Sequence, residues 1–552
     1  MKTKIGQPLL PATWKQALPI AGVLFVFTFA DLLRAVDFSS NLPILVIDTK
    51  GKRIVNSPRI IAHLGVIHNG PGRINHSRDA FTHYDGLIAI ELRGSSGLWQ
   101  KWPKEQYGFE TQNPDGSNNN VPLLGLPPEN DWILYPPYSD KSLIRNVLAY
   151  RLSRDIGRYA PRTRFCELVL NGDYRGVYVL IEKIKRDKNR VNIAKLHPED
   201  SAGDALTGGY IVKIDRRAGE ENEGWKSPFR YSDKGEIEWL YHDPDPEELT
   251  TTQKSYIRDY VTAFEKAMMQ RDWQENLDRF FDLEAFVDYY LLTELANNID
   301  TYTFSTFFYK DRDSRGGRLT IGPIWDINLG FGNADYFVGM NTEGWLLGEK
   351  IRVRDRIPAW LKNIYESPQI QVKIARRWQE LRLGPLAEER ILGLIDAYVD
   401  TLAEAQQRNF QRWPILGQYI WPNAFVGKTY AEEIDYLKTW LIKRGRWMDG
   451  QLTGIDHQNQ ARVFSVNVFP NPFNSRITIV LDLPQPTFLR ATVYNMMGNP
   501  ITDFFNGPAG AGQYAWQWSG ENDSGAEVPS GCYFLILQTN DERLVRPLII
   551  LR

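Results

Sequence analysis

Apolar and polar positions alternate in short runs over the first third of the chain, which is the period of half-buried strands. Strands are expected at 42–47 (LPILVI), 60–67 (IIAHLGVI) and 86–92 (GLIAIEL). A stretch rich in Asn, Pro and Gly follows at 113–130 and reads as turns. Helical spacing begins at 145–157, where Val147, Leu148, Leu152 and Ile156 share a face. Runs at 165–170 and 176–181 flank Asn171-Gly172, a pair suited to a hairpin because both turn positions need positive φ. Residues 250–269 are amphipathic, with Tyr260, Val261, Phe264 and Met268 on one side, and Asp282 can cap a helix carrying Phe286, Tyr290 and Leu295. A second hairpin is expected at 304–310 and 318–324. From 358 to 447 the pattern is mostly helical, with breaks near Gly384-Pro385 and Trp413-Pro414.

Beyond Gly454 the pattern changes. Residues 455–462 are polar and read as a linker. Short strands at 476–483, 488–494, 513–518, 533–538 and 544–551 then recur at roughly 10-residue spacing, the signature of a small β-sandwich. The expected domains are 1–35, 36–454 and 463–552. The middle one divides into a strand-rich N-terminal lobe over 36–215 and a helical lobe over 250–450. No internal repeat or low-complexity tract occurs.

The first 35 residues place Lys2, Lys4 and Lys15 before an apolar run from Ala17 to Ala30. That run is short of the roughly 20 residues a membrane span needs. It reads as a secretory signal, with an uncleaved anchor as the alternative. With the signal removed, no stable membrane span is expected.

Composition excludes several classes. Lys plus Arg total 65 against 67 Asp plus Glu, so the net charge of −2 lacks the basic excess of a nucleic-acid binder. Two cysteines, Cys166 and Cys532, cannot make a disulfide scaffold. Aromatic residues reach 12%, enough for a large core or an exposed stacking surface.

Common catalytic signatures are absent: no GxxxxGK[ST], GxGxxG, HExxH, CxxC or GxSxG. Asp311, Asp313 and Gly316 begin like a calcium loop, but Gly322 stands where the closing Glu belongs. His68, His76 and His83 lack metal-ligand spacing, and the Asp243-to-Glu248 acids are broken by proline. Four polar knots remain. In IGPIWDINLGFGN (321–333), Asp326 and Asn328 fall on one side of an extended chain before loosening glycines. Hard oxygen donors there suit Mg²⁺, and a carboxylate closing a tight turn suits them equally. Asp300, in Asn297-Asn298-Ile299-Asp300, can cap a turn or accept a proton from a hydroxyl. Arg93, in ELRGSS, and Lys104 can hold phosphates or lie in solvent. Glu182-Lys183 ends a hairpin strand, where a surface ion pair is the plain reading.

Taken in order, these segments resemble the CotH-type kinase family, atypical protein kinases named for a spore coat protein. The matching stretches are ELRGSSGLWQKWPKEQYGFE (91–110), residues 124–193, GGYIVKID (208–215), ELANNIDTYTFSTFFYKD (294–311) and GPIWDINLGFGN (322–333). The resemblance implies an α+β fold, with an atypical protein-kinase-like domain followed by a small all-β Ig-like sandwich. It implies Asp326 as the metal-binding aspartate, with Asn328 beside it, and Asp300 as the base toward an acceptor hydroxyl. It further implies Arg93 and Lys104 facing nucleotide phosphates, with Glu182 as the partner of Lys104. ATP and Mg²⁺ or Mn²⁺ would be the cofactors, and the γ-phosphate would pass to Ser or Thr hydroxyls of secreted or surface proteins. Two departures stand out. Asn328 occupies a position often held by Asp, and Phe304-Ser305 replace a frequent His-Asn. Both fit a catalytically inactive pseudokinase serving as a surface or coat assembly module, and a phosphohydrolase is a third reading.

The tail, with FPNPFN (469–474), Val493-Tyr494-Asn495, Gly525, Gly531 and a basic end at Arg546 and Arg552, resembles the C-terminal sorting domain of type IX secretion. It implies export through the periplasm, contact with that secretion machinery, and a secreted or surface location.

Overall fold

Five of the expected strands and two further ones roll into a closed barrel. The computed structural model describes residues 37–551 apart from 95–99, 218–222, 232–234, 348–356, 460–464, 484–485 and 541–542. The expected signal at 1–35 lies outside the described residues, as do Ser95 and Ser96 of the Arg-Gly-Ser segment.

The barrel strands are β1 (Ile44–Asp48), β2 (Ile60–Ile67), β3 (Tyr84–Arg93), β4 (Gln106–Gln112), β5 (Asp131–Tyr135), β6 (Thr163–Leu170) and β7 (Asp173–Glu182). Around the barrel they run β1-β2-β3-β4-β5-β7-β6. Every pair is antiparallel except the closing one, where β6 runs parallel to β1 with Ile44 opposite Glu167. Leu45, Ile47, Ile88, Phe109, Trp132 and Leu180 share the buried cluster these strands enclose. Ile44 and Val46, on the other face of β1, pack in a second cluster with Phe38, Phe81 and Tyr174. A strand buried on both faces is why LPILVI is continuously apolar. The β6–β7 turn has Asn171 at φ 51° and Gly172 at φ 79°, as that pair predicts. Strands β4 and β5 flank the turn-rich stretch and were not expected.

The chain leaves the barrel after β5 as helix α1 (Arg145–Asp155). Asp140 fixes its start: the Arg145 N–H donates to Asp140 Oδ2 at 2.9 Å, and Arg145 Nη1 lies 2.6 Å from Oδ1. A five-stranded antiparallel sheet follows: β8 (Tyr210–Ile214), β9 (Gly224–Arg230), β10 (Glu236–Asp243), β11 (Thr306–Lys310) and β12 (Leu319–Ile321), in spatial order β9-β10-β8-β11-β12. The expected second hairpin is its β11–β12 edge. Strand β8, expected within the N-terminal lobe, instead pairs with β11, Ile214 opposite Thr306. Between β10 and β11 come α2 (Thr251–Met268), α3 (Trp273–Phe280) and α4 (Leu283–Ala296). Thr250 and Gln253 form a capping box on α2, and Asp282 accepts from the Ala285 N–H at the start of α4.

Five more helices complete this body: α5 (Ala359–Tyr365), α6 (Pro368–Arg382), α7 (Glu388–Leu402), α8 (Ala405–Arg412) and α9 (Tyr430–Asn459). Arg444 of α9 is fully buried over Trp447 and Trp345, its ring distances 4.8 and 5.7 Å. It donates to the Glu294 carbonyl (2.8 Å) and the Gly344 carbonyl (2.6 Å), and meets the Glu294 carboxylate at 3.3 Å. Helix α9 continues to Asn459 through most of the expected linker. Residues 456–459 are polar, but no proline interrupts them, and polarity alone does not stop a helix already 25 residues long at Gly454.

The tail forms two sheets from β13 (Ser465–Phe469), β14 (Ile477–Leu483), β15 (Thr487–Tyr494), β16 (Pro500–Ala509), β17 (Gly512–Trp518), β18 (Gly531–Gln538) and β19 (Arg543–Ile550). Their orders are β13-β14-β17 and β16-β15-β18-β19, and Ile479, Leu481, Val493, Trp518, Leu535 and Ile550 share one core. Strands β13 and β16 were not expected, and β16 holds Gly507 and Pro508. It is an edge strand, where proline's missing donor costs no ladder bond.

Candidate functional site

Helix α4 ends at Asn297, whose φ of 48° turns the chain sharply. Its amide donates to the Val338 and Asn341 carbonyls at 2.6 and 3.1 Å, tying the 338–341 loop to this turn. Asn298, 2% exposed, donates through Nδ2 to the Asp326 carbonyl at 3.3 Å, while its Oδ1 is buried without a donor. The Asp300 carbonyl accepts from the N–H groups of Thr303 (3.1 Å) and Phe304 (2.8 Å), so the turn is held by its backbone and the Asp300 carboxyl is left over.

The second strand of the site comes off β12. Asp326 has φ 58° and is not extended, so the alternation expected to align it with Asn328 does not apply. The segment is held by α1 instead. Asn146 and Tyr150 are four residues apart and share a helix face. Tyr150 Oη accepts from the Asp326 N–H at 3.1 Å, Asn146 Oδ1 from the Ile327 N–H at 2.8 Å, and the Tyr150 ring stacks on Trp325 at 5.8 Å. The loop then folds back on the end of α4: the Phe331 N–H donates to the Ala296 carbonyl at 2.6 Å. A Cβ on Gly330 would lie 2.9 Å from that carbonyl, which accounts for the glycine. Asn328 is partly exposed, but its Oδ1 is buried without a donor.

Burial pushes the Asp326 carboxyl up to about 7, and the nearby Asp300 and Asp215 carboxylates add to the shift. Burial likewise raises Asp300 to about 6, opposed by the Arg216 guanidinium and helped by Asp215. Arg216 is exposed and stacks 3.9 Å over the Phe304 ring. Asp215 pairs with Lys213 at 3.0 Å. Asp300, Asp326, Asn298, Asn328, Asp215 and Arg216 therefore form one neighbourhood. Groups raised by burial and by like charge are the signature expected of a functional site.

The remaining expected residues are placed differently. Arg93 is enclosed at the end of β3, its pKa lowered by burial against the attraction of Glu91, Asp131 and Asp245. His242, depressed by burial, also feels Lys213, Lys183 and Arg93. Lys104 is 1% exposed. Its Nζ donates to the Val177 carbonyl at 2.6 Å and to Asn409 Oδ1 at 2.8 Å, pinning β7 to α8. Glu182 is fully buried and binds the Arg162 N–H and guanidinium, both at 2.8 Å. The expected Lys104–Glu182 pair is not formed. Lys104 meets β7 at the Val177 carbonyl, five positions from Glu182, or about 17 Å along a strand.

Sequence reasoning missed Asp215, Lys213 and Arg216 as site residues, though 208–215 was a matching stretch. It missed Asn146 and Tyr150 because their only signal was helical spacing. Among the described residues, no three His, Cys, Asp or Glu side chains converge as ligands. The donor set is mixed instead: one enclosed carboxylate and two amide oxygens lacking donors. Such oxygens fit a hard divalent cation, which takes a few protein oxygens and fills its remaining positions with water and phosphate.

A family model described as CotH kinase protein matches residues 90–448. A second, described as a secretion system C-terminal sorting domain, matches 467–551. No curated protein matches the chain. Among solved structures, dimeric latent PorU from Porphyromonas gingivalis is similar at 16% identity over 16% of this chain and 9% of that one, with a TM-score of 0.14. FlgD from P. aeruginosa is similar at 23% identity over 15% of this chain and 71% of that one, with a TM-score of 0.13. The alkylpurine DNA glycosylase AlkC of Pseudomonas fluorescens is similar at 13% identity over 36% of this chain and 56% of that one, with a TM-score of 0.12. The chain thus spans less than two thirds of both PorU and AlkC.

Proposed function

The chain belongs to the CotH kinase protein family, and from that premise we propose that it is an exported protein kinase, moving the γ-phosphate of ATP to Ser or Thr hydroxyls of secreted or surface proteins. The observation that carries the reading is the Asp300–Asp326 neighbourhood, two carboxyls raised by burial, with Asp300 adding to the shift of Asp326, beside unpaired amide oxygens. Asp326, with Asn328, would hold Mg²⁺ or Mn²⁺. Such a cation would draw charge from the phosphates, which this reaction needs more than covalent help. Asp300, at about 6, is mostly ionised near neutral pH and can still accept a proton, the poise of a general base. Arg216, fixed on Phe304, places a cation beside that base. Arg93 keeps its proposed role toward phosphates. Lys104, fully engaged with Val177 and Asn409, acts as a tie between the barrel and α8.

The second reading, a catalytically silent assembly module, draws on Asn328, Ser305 and the missing Lys104–Glu182 pair. Transfer decides between them. Purified chain with labelled ATP and Mg²⁺ or Mn²⁺ is expected to label itself or a generic protein acceptor. Bound nucleotide and metal should also raise its melting temperature by mass action. Neither transfer nor a shift with either metal would sink the kinase reading. Metal-dependent release of inorganic phosphate without labelled protein would assign a phosphohydrolase.

The tail is a type IX sorting domain, so the protein is exported to the surface or secreted. Among the described residues no helix is long and apolar enough to cross a membrane. Deleting 463–552 is expected to retain the product in the cell envelope, assayed by fractionation; undiminished secretion would refute a sorting role. ATP is scarce outside the cytoplasm, so activity requires a supply there or transfer before export.

A further inference from the structure

Asn298 is 2% exposed, and its Oδ1 receives no hydrogen bond. A buried amide oxygen without a donor is uncommon, because its lost hydration is not replaced. The amide cannot simply be turned over to repair this. Nδ2 donates to the Asp326 carbonyl at 3.3 Å, and a turned amide would set oxygen against oxygen. Asn298 Oδ1 is thus fixed beside Asp326 itself. The second unpaired oxygen, Asn328 Oδ1, lies two residues beyond it in the same loop. Asn298 is also braced from below, since the Thr301 N–H holds its carbonyl at 2.9 Å. The site is short of ligands elsewhere: Ser305, with φ 48°, offers only a short hydroxyl just before β11.

We propose that Asn298 is a direct ligand of the divalent cation, its Oδ1 joining the Asp326 carboxylate and Asn328 Oδ1 in one coordination sphere. This rests on the reading of Asp326 as a metal-binding residue. A set of one carboxylate and two amides leaves a bound dication partly uncompensated. The site therefore favours a metal that arrives with, or recruits, the negative phosphates of a nucleotide. It would hold free metal more weakly than a site with two acids. That makes Asn298 the residue coupling the turn that carries Asp300 to the loop that carries Asp326, through a shared ion.

The test uses the purified full chain and Mn²⁺ alone, with free Mn²⁺ followed by electron paramagnetic resonance. Asn298→Ala is expected to weaken Mn²⁺ binding at least tenfold. Asn298→Asp keeps an oxygen at the same reach, adds a charge and removes the Nδ2 donor, so it is expected to tighten binding several-fold. Equal affinity in Asn298→Ala and wild type overturns the proposal, as does undetectable Mn²⁺ binding by the wild type. Loss in Asn298→Asp as large as in Asn298→Ala also overturns it, because the amide would then serve only to hold the Asp326 carbonyl. Melting curves in EDTA confirm that both variants fold. Asn298-dependent Mn²⁺ binding without phosphoryl transfer would keep this inference and remove the kinase. Transfer with Mn²⁺ binding indifferent to Asn298 would do the reverse.

Discussion

Asp326→Asn is expected to abolish the proposed phosphoryl transfer, with a loss on the order of 10³-fold or more, the scale on which single charge-stabilising groups act in such reactions. Partial burial and the Asp300 and Asp215 charges disfavour the ionised form of the Asp326 carboxyl. A protein keeps such a group for what it does in the loaded state, since the empty state gains nothing from it. The same substitution should therefore leave the fold intact or firmer. Asn adopts φ near 58° as readily as Asp, keeps the side-chain shape and removes the like charge. In EDTA the melting temperature of Asp326→Asn is expected to equal or exceed that of wild type. Loss of transfer together with a lowered melting temperature would mean a merely damaged fold. Full transfer by the variant would remove Asp326 from the mechanism.

Arg444→Met is the substitution expected to cost most in stability, roughly 3–5 kcal/mol, the range for breaking a buried ion pair by removing one partner. Both Arg444 and Glu294 side chains are fully buried. Without the guanidinium, Glu294 keeps the N–H groups of Leu346 and Leu347, at 2.8 and 3.2 Å, but loses the Arg444 charge. The Gly344 carbonyl loses its donor as well. The pair joins α9 to α4 just ahead of the Asn297–Asp300 turn, so the damage should reach the site. Urea denaturation of the purified chain checks the value. A loss under 1 kcal/mol would show that Met packing against Trp345 and Trp447 replaces the pair.

Local pattern revealed much of this architecture. Continuous apolar residues at β1, the Asn171-Gly172 turn and the Asp282 cap each follow from a few neighbours in sequence, and each is present. What pattern could not show was pairing across distance. The parallel β1–β6 closure joins segments more than a hundred residues apart, and nothing in Ile44 or Glu167 announces it. Strands β4 and β5 were hidden beside a stretch read as turns, and β8 was assigned to the wrong lobe because a strand's partners are not written in its own residues.

The site was legible in the same uneven way. Asp300 and Asp326 stood out as acids in apolar surroundings and are now neighbours. Lys104 and Glu182 stood out equally and are apart, because two charged residues signal that each needs a partner without saying which. Asn298 sat in a recognised polar knot, but only a structure can show an amide oxygen left without a donor.

A closed barrel has no first or last strand. Each ladder in β1–β7 is already satisfied on both sides, so neither a second copy nor an extended peptide can add a strand to this lobe without opening it. The tail differs: its two sheets end at β13, β17, β16 and β19, with only part of the β16 edge met by Asp523 and the end of β19 met by Phe473 and Asn471. Backbone-to-backbone contact with another protein is therefore open to the sorting tail and closed to the barrel. A partner of the barrel must recognise it through side chains alone.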